Sequence, residues 1–191
     1  MKKYLVIGNP INHSLSPKLH NYWLKKNNIE AIYEKKNLDE KDVVKIIDEV
    51  KNEKIDGINV TKPFKKFVIP FLDKLTPIAD EAQSVNTIYK ESGMVIGHNT
   101  DVDGFQLALK YINYNVKNRI VIVLGAGGVV SSIILALKKL GASKIILSNR
   151  TKEKAEFLKK KYSYIEIVDW GKIPSFDMLI NATSIGLKKS D

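Results

Sequence analysis

The sequence predicts an α/β protein of two domains, residues 1–101 and residues 102–191. Three observations carry this. Short apolar runs alternate with helix-period stretches along the whole chain, the pattern of a parallel or mostly parallel sheet covered by helices. After the polar stretch Asn113 to Asn118 the alternation restarts at Arg119 with two regular βα units. The first strand of that restart, Ile120 to Leu124, runs directly into Gly125-Ala126-Gly127-Gly128, a glycine turn that opens a helix and marks a Rossmann-like, nucleotide-binding fold.

Each element follows from its local pattern. Tyr4 to Gly8 is an apolar strand stopped by a proline, and Pro17 to Lys26 is a helix with Ser16 as its N-cap and Pro17 in the first turn. Ala31 to Lys36 is a strand, Asp39 to Glu53 a helix, and Gly57 to Val60 a strand. Pro77 to Gln83 suits a short helix. Val85 to Tyr89 and Met94 to Gly97 suit paired strands about the turn Glu91-Ser92-Gly93. A helix from Val102 to Tyr111 opens the second domain. It is followed by the strand Ile120 to Leu124, a helix from Gly128 to Leu140, the strand Lys144 to Leu147 and a helix from Thr151 to Tyr162. These two regular βα units mark a second domain.

Composition narrows the function classes. A chain of 191 residues, 44% hydrophobic and 27% charged, is ordinary for a soluble protein with a real core. The absence of cysteine removes disulfides, thiolate metal sites and cysteine nucleophiles, and three histidines (His13, His20, His98) are too few and scattered for a histidine metal cluster, so the expected metal is none. No apolar stretch spans a bilayer and the start, Met1 to Gly8, is too short for a signal peptide, which points to the cytoplasm. The net charge of +10 comes from lysines mixed with acids, as in Lys152-Glu153-Lys154-Ala155-Glu156, without interleaved aromatics, so no nucleic-acid or membrane partner is expected.

The glycine turn Gly125, Ala126, Gly127, Gly128 lets backbone approach a pyrophosphate, whose charge the helix N-terminal amides favour. Val130 occupies the third fingerprint position, where glycine or alanine is usual, so helix and strand should sit slightly further apart. NAD-binding strands usually end in an acid for the ribose 2′-hydroxyl. Here the strand ends Ser148-Asn149-Arg150-Thr151-Lys152-Glu153-Lys154: Arg150 and Lys154 bring positive charge, and Asn149 and Thr151 bring neutral hydrogen bonds. That set suits a 2′-phosphate, so the expected cofactor is NADP; the bland alternative has Thr151 as a helix cap and Arg150 solvated.

Two further stretches hold candidate chemistry. In Ile58-Asn59-Val60-Thr61-Lys62-Pro63-Phe64-Lys65-Lys66, three lysines surround a proline after a strand; one is a reagent or all three face water. In Gly8 to Pro17, Ser14 and Ser16 lie two apart before a helix start, where they could cap it, hold a carboxylate, or both.

The segments "GNPINHSLSP", "INVTKPFK", "SVNTIY", "GHNTDVDG", "GAGGVV", "SNRTKEK" and "NATSIG" occur in this order from residue 8 to residue 186, and together they resemble the shikimate dehydrogenase family. The resemblance implies an N-terminal substrate-binding and catalytic α/β domain followed by an NADP-binding Rossmann-like domain. It implies reduction of 3-dehydroshikimate to shikimate with NADPH, on the route to chorismate and aromatic amino acids. By the same resemblance the catalytic lysine is Lys65, leaving Lys62 and Lys66 as bystanders, and its partner is Asp101 in Asn99-Thr100-Asp101. Ser14 and Ser16 are assigned to the substrate carboxylate; Asn59, Thr61 and Asn86, with Asp101, surround its hydroxyls. Taken alone, Asn86 reads as a turn residue and His13 as a polar residue at a helix start.

Hydride arriving at a ketone carbon generates an alkoxide, which an ammonium can stabilise and protonate; in reverse a neutral lysine accepts the hydroxyl proton. A second role is open to Lys65, in which it orients substrate while water supplies the proton. Two departures from the family stand out. Most members continue well past "NATSIG", so a later tyrosine, a substrate-touching glutamine and terminal helices have no counterpart before Asp191, and weaker substrate affinity and turnover are expected than in a form extended at the C-terminus. Ser131 stands where many members carry arginine or lysine, which weakens the expected phosphate grip. The competing readings are an NAD-preferring quinate/shikimate dehydrogenase and a ligand-binding module with little turnover; the oligomeric state is monomer or homodimer.

Overall fold

The structure, a computed structural model, describes residues 1–186; the terminal stretch 187–191 lies outside the described residues. The chain divides into two compact units, Met1–Thr100 and Asp101–Asp191.

The first unit is a six-stranded sheet in the order β2-β1-β3-β5-β6-β4. Its strands are β1 (Lys2–Gly8), β2 (Ala31–Asn37), β3 (Gly57–Val60), β4 (Lys74–Leu75), β5 (Thr87–Glu91) and β6 (Met94–His98), with helices α1 (Ser16–Lys26), α2 (Glu40–Lys51) and α3 (Pro77–Ala82). β1 pairs in parallel with β2 and β3, each through a helical crossover, and its apolar run serves both faces. Leu5 and Ile7 join Val43, Ile46, Ile47 and Val50 of α2 on one side, while Val6 meets Tyr33 and Ile11 on the other. The sheet is mostly parallel, as expected from sequence: β1 with β2, β1 with β3 and β4 with β6 pair in parallel, and β5 alone runs antiparallel, to both β3 and β6, in the hairpin the turn Glu91-Ser92-Gly93 predicts. The β5–β6 hairpin turns on Ser92 and Gly93, both with positive φ (51° and 81°), which matches the right-handed twist of the flanking strands.

Helix α1 departs from the usual amphipathic helix because it buries no residue. It is held instead through Asn21, whose Nδ2 donates to the Tyr33 carbonyl (2.8 Å) and whose Oδ1 accepts from the Tyr33 N–H (2.9 Å), tying α1 to β2. The expected Ser16 cap is also corrected: Ser16 is already the first helical residue, and Ser14 Oγ accepts its N–H at 3.3 Å.

The second unit holds a four-stranded, all-parallel sheet in the order β10-β7-β8-β9. The strands are β7 (Ile120–Leu124), β8 (Lys144–Ser148), β9 (Ile165–Val168) and β10 (Met178–Asn181), with helices α4 (Asp101–Tyr111), α5 (Val130–Lys139) and α6 (Lys152–Lys161). Read from β9, this is the 3-2-1-4 order of a doubly wound fold, in which the chain reverses direction across the sheet between β7 and β10. Residues Val130 to Leu137 of α5 are all buried, Ser131 and Ser132 among them, and Val130 is fully so. The helix begins at Val130 and leaves Gly128 in the preceding turn, two residues later than the sequence pattern suggests. Thr151 does take the N-cap position of α6, but its side chain makes no capping hydrogen bond.

Candidate active site

Two loops, after β1 and after β3, meet at the carboxyl edge of the first sheet. Thr61 donates its N–H to the Ile7 carbonyl (2.9 Å) and Asn9 donates to the Lys62 carbonyl (3.0 Å). Gly8 permits this approach, since a Cβ there would lie 2.6 Å from Thr61 Cγ2 and 3.0 Å from the Lys62 oxygen. Beyond Thr61 the chain is anchored by Phe64 and Val68, 1% and 0% exposed, so the intervening Lys65 is held half-buried while Lys62 and Lys66 face solvent. The Lys65 carbonyl accepts from Val85 N–H at 2.8 Å, which fixes the turn against the segment carrying Asn86.

The first unit contains a cavity of about 690 Å³ beside this turn, and Ser16, Asn59, Thr61, Lys65 and Asn86 all line it. Ser14 does not line it; its hydroxyl turns back to the Ser16 amide. Asp101 is the first residue of α4 and belongs to the second unit. His20, Tyr33, Thr87 and Thr100 also line the cavity, and residue patterns gave none of them a role. Thr87 and Thr100 sit inside segments singled out by sequence, next to Asn86 and Asp101. Nothing in the sequence marks Tyr33, which reaches the cavity because β2 pairs it with Tyr4 on β1.

One continuous set of hydrogen bonds forms the polar wall. The Tyr33 hydroxyl donates to Asn59 Oδ1 at 2.6 Å. Asn59 Nδ2 donates to the Asn86 carbonyl (3.2 Å) and to Thr87 Oγ1 (3.1 Å). Thr87 Oγ1 donates to Asn86 Oδ1 (3.0 Å), which also accepts the Thr100 N–H (3.0 Å), and Asn86 Nδ2 donates to Thr100 Oγ1 (2.8 Å). Burial pushes the Tyr33 phenol far above its ordinary value, against a smaller opposing effect of the hydrogen bond with Ser16, so it stays protonated and acts as a donor. The His20 imidazole stacks on the Tyr33 ring (4.2 Å between centroids, 6° between planes), and burial lowers its pKa, favouring the neutral ring.

In the second unit the glycine turn stands at the sheet's reversal point, where open α/β sheets take their ligands. Gly125 (φ 108°) is needed for packing: a Cβ there would lie 2.8 Å from the Ala182 carbonyl oxygen. A Cβ at Gly127 or Gly128 would meet nothing within 4 Å, so no protein contact requires glycine at either position. The donor set therefore fits a pyrophosphate laid against bare backbone between β7 and α5. After β8, Asn149 Nδ2 donates to the Thr151 carbonyl at 2.6 Å and shapes the turn, while Arg150, Thr151 and Lys154 are exposed. Among the described residues neither Arg150 nor Lys154 forms an ion pair, and the buried Ser131 offers no surface hydroxyl to a phosphate. Among the described residues no three acidic or histidine side chains gather to hold a metal ion, and no helix is long and apolar enough to cross a membrane.

Strand order, glycine turn and a β8 end without an acid define a dinucleotide-binding α/β protein with a separate polar cleft. Comparison with known proteins specifies which. Residues 6–88 match the family model of the shikimate dehydrogenase substrate-binding domain, and residues 106–186 match that of shikimate/quinate 5-dehydrogenase. A curated relative from Pelagibacter ubique, named shikimate dehydrogenase (NADP(+)), is 59% identical over 190 residues, covering 100% of this chain and 72% of the relative. The crystal structure of shikimate dehydrogenase from Aquifex aeolicus superposes with a TM-score of 0.92 at 40% identity, covering 100% of this chain and 72% of that one. The Thermus thermophilus enzyme, solved with NADP(H) and shikimate, gives 0.89 at 33% identity over 98% of this chain and 70% of its own. The chain belongs to the shikimate dehydrogenase family.

Proposed function

We propose that this chain performs the NADP-dependent, reversible reduction of 3-dehydroshikimate to shikimate, with residues 1–101 as the substrate-binding and catalytic domain and residues 102–191 as the NADP-binding domain. The observation that carries the reading is the fate of the three lysines: only Lys65 lines the polar cavity, together with Ser16, Asn59, Thr61 and Asn86, while Lys62 and Lys66 are exposed. The relatives' names support NADP over NAD and do not favour a quinate-specific or non-catalytic reading.

In this reading the Lys65 ammonium protonates the alkoxide oxygen formed at the carbonyl, and in the oxidising direction neutral Lys65 takes the hydroxyl proton. Asp101 is assigned to keep the Lys65 side chain oriented. Ser14 and Ser16 are assigned to the carboxylate, with Ser16 nearer the cavity; Thr61, whose hydroxyl makes no side-chain hydrogen bond among the described residues, is available to a substrate hydroxyl. Bound NADP supplies the hydride acceptor or donor. The Gly125–Gly128 turn and the α5 amides would hold its pyrophosphate, with Asn149, Arg150, Thr151 and Lys154 at the 2′-phosphate. The enzyme is assigned to the cytoplasm as a monomer or homodimer. Shikimate-dependent NADPH formation by the purified protein tests the reading, and the absence of both turnover and shikimate binding overturns it.

A further inference from the structure

We propose that Tyr33 is a positioning residue that locks the Asn59 side-chain amide in one orientation, so that the polar wall of the cleft presents an acceptor to a substrate hydroxyl. The inference deepens the shikimate reading and rests on it for the identity of the ligand.

Two backbone groups dictate the direction of every bond in the wall. The Asn86 carbonyl, 3.2 Å from Asn59, can only accept, so Asn59 must face it with its NH2 group. That choice turns Asn59 Oδ1 toward Tyr33, where an amide oxygen can only accept, so the phenol must donate. At the far end the Thr100 N–H can only donate, which turns Asn86 Oδ1 toward it. Thr87 already accepts from Asn59 and therefore donates to Asn86. Both N–H groups of Asn59 are thus engaged within the protein, and what it can offer a ligand is the remaining lone pair of Oδ1. A hydroxyl that donates matches this; a carboxylate does not.

The phenol is the only described donor to Asn59 Oδ1. Its ring is fixed from both sides of the peptide: the imidazole of His20 stacks on it, and Asn21 holds both backbone groups of Tyr33. Without the hydroxyl, Oδ1 loses its donor, and the amide is held by one side only. Linked hydrogen bonds polarise one another, so loosening at Asn59 should also reach Thr87 and Asn86.

Tyr33→Phe keeps the stacked ring and removes the hydroxyl, and with it both the donor to Asn59 and the hydrogen bond with Ser16, so the Asn59 amide exchange is the readout that isolates the first. The expected result is a rise in KM for shikimate of about 3- to 10-fold, the range of one lost neutral hydrogen bond. The KM for NADP should be unchanged, and kcat should stay within about two-fold, as expected when ground-state and transition-state binding are lost together. In the unliganded protein, the Asn59 side-chain NH2 resonances should exchange faster with solvent. Thr87→Val cuts the other side of Asn59 and should also speed that exchange; it serves as well if Tyr33→Phe fails to fold. In the double variant the rise in KM should be smaller than the product of the two single effects. An Asn59 amide whose exchange is unaffected by either substitution overturns the proposal, as does a shikimate KM that does not change. Failure of the unaltered protein to bind or turn over shikimate counts against the functional reading instead, and the amide exchange still decides the link from Tyr33 to Asn59.

Discussion

At the scale of single residues, burial separates chemically identical side chains. Lys65→Ala should lower turnover by about 10²–10⁴-fold, the usual worth of a positioned acid-base group, while leaving NADP affinity nearly intact. Lys62→Ala and Lys66→Ala, on exposed positions, should be mild, and equal losses in steady-state assays of all three would refute the assignment. Arg150→Ala should weaken NADP by about 1.5–3 kcal/mol in a binding titration and NAD far less, because only NADP carries the extra phosphate; equal weakening would place Arg150 away from it. His20 predicts a pH dependence. Its folded pKa is lowered below the ordinary 6.5, so the unfolded chain binds more protons. The stability this contributes is full above 6.5 and is lost as pH falls through the lowered value. His20→Phe should therefore flatten the acid side of a plot of Tm against pH, and an unaltered slope would show that His20 does not carry it.

At the scale of elements, one glycine turn holds two different requirements. Gly125→Ala adds a Cβ at 2.8 Å from the Ala182 oxygen and forces a side chain to φ 108°, so it should destabilise the second unit by about 1–3 kcal/mol in denaturant titration. Gly127→Ala meets no protein atom and should spare stability while weakening NADP binding. Equal stability losses would mean that the turn is purely structural. The same turn shows what a sequence can and cannot disclose. β1, β3, β7 and β8 were legible because each holds a run of apolar or β-branched residues ended by turn chemistry, and β2 from its apolar start Ala31-Ile32-Tyr33. β4 has two residues, and β9 and β10 have four each, with exposed positions among them, so none carries a period long enough to read. The α1 cap was misplaced by one position: the N-cap is Leu15, which has no hydroxyl to offer, and the Ser14 hydroxyl accepts the Ser16 N–H, an arrangement that two serines on paper do not disclose. In the cleft, the motif residues after β1 and β3 were legible through their resemblance to a known family, while their spacing alone left capping and solvated readings open. Tyr33 was not, since its role comes from strand register and from the helix lying against it, neither of which leaves a local mark.

At the scale of the whole molecule, each of the two units carries its own sheet and buried residues, with the polar cavity in the first and the glycine turn in the second. Ligands that bind only the folded state stabilise the unit they touch, by about 2.7 kcal/mol at a hundredfold excess over Kd. Shikimate should therefore protect amides of the first sheet, and NADP those of the second, in hydrogen exchange followed by mass spectrometry. Uniform protection of both sheets by either ligand alone would show that the units open as one.

Helix α1 buries no residue completely and is secured by Asn21, by the His20 ring stacked on Tyr33 and by the half-buried Leu24 against Val6, Ile11 and Tyr33. Leu19 and Tyr22 on its outer surface are exposed, and Trp23, also largely exposed, lines the cavity edge-on to His20, so these positions escape the packing constraint that makes most helices intolerant of change. For protein engineering this makes α1 the natural place to randomise: a library that keeps Ser16, His20, Asn21 and the core-packed Leu24 and varies exposed positions such as Leu19, Tyr22 and Trp23 leaves the buried core of the domain in place, and through Trp23 it samples new walls for the cleft.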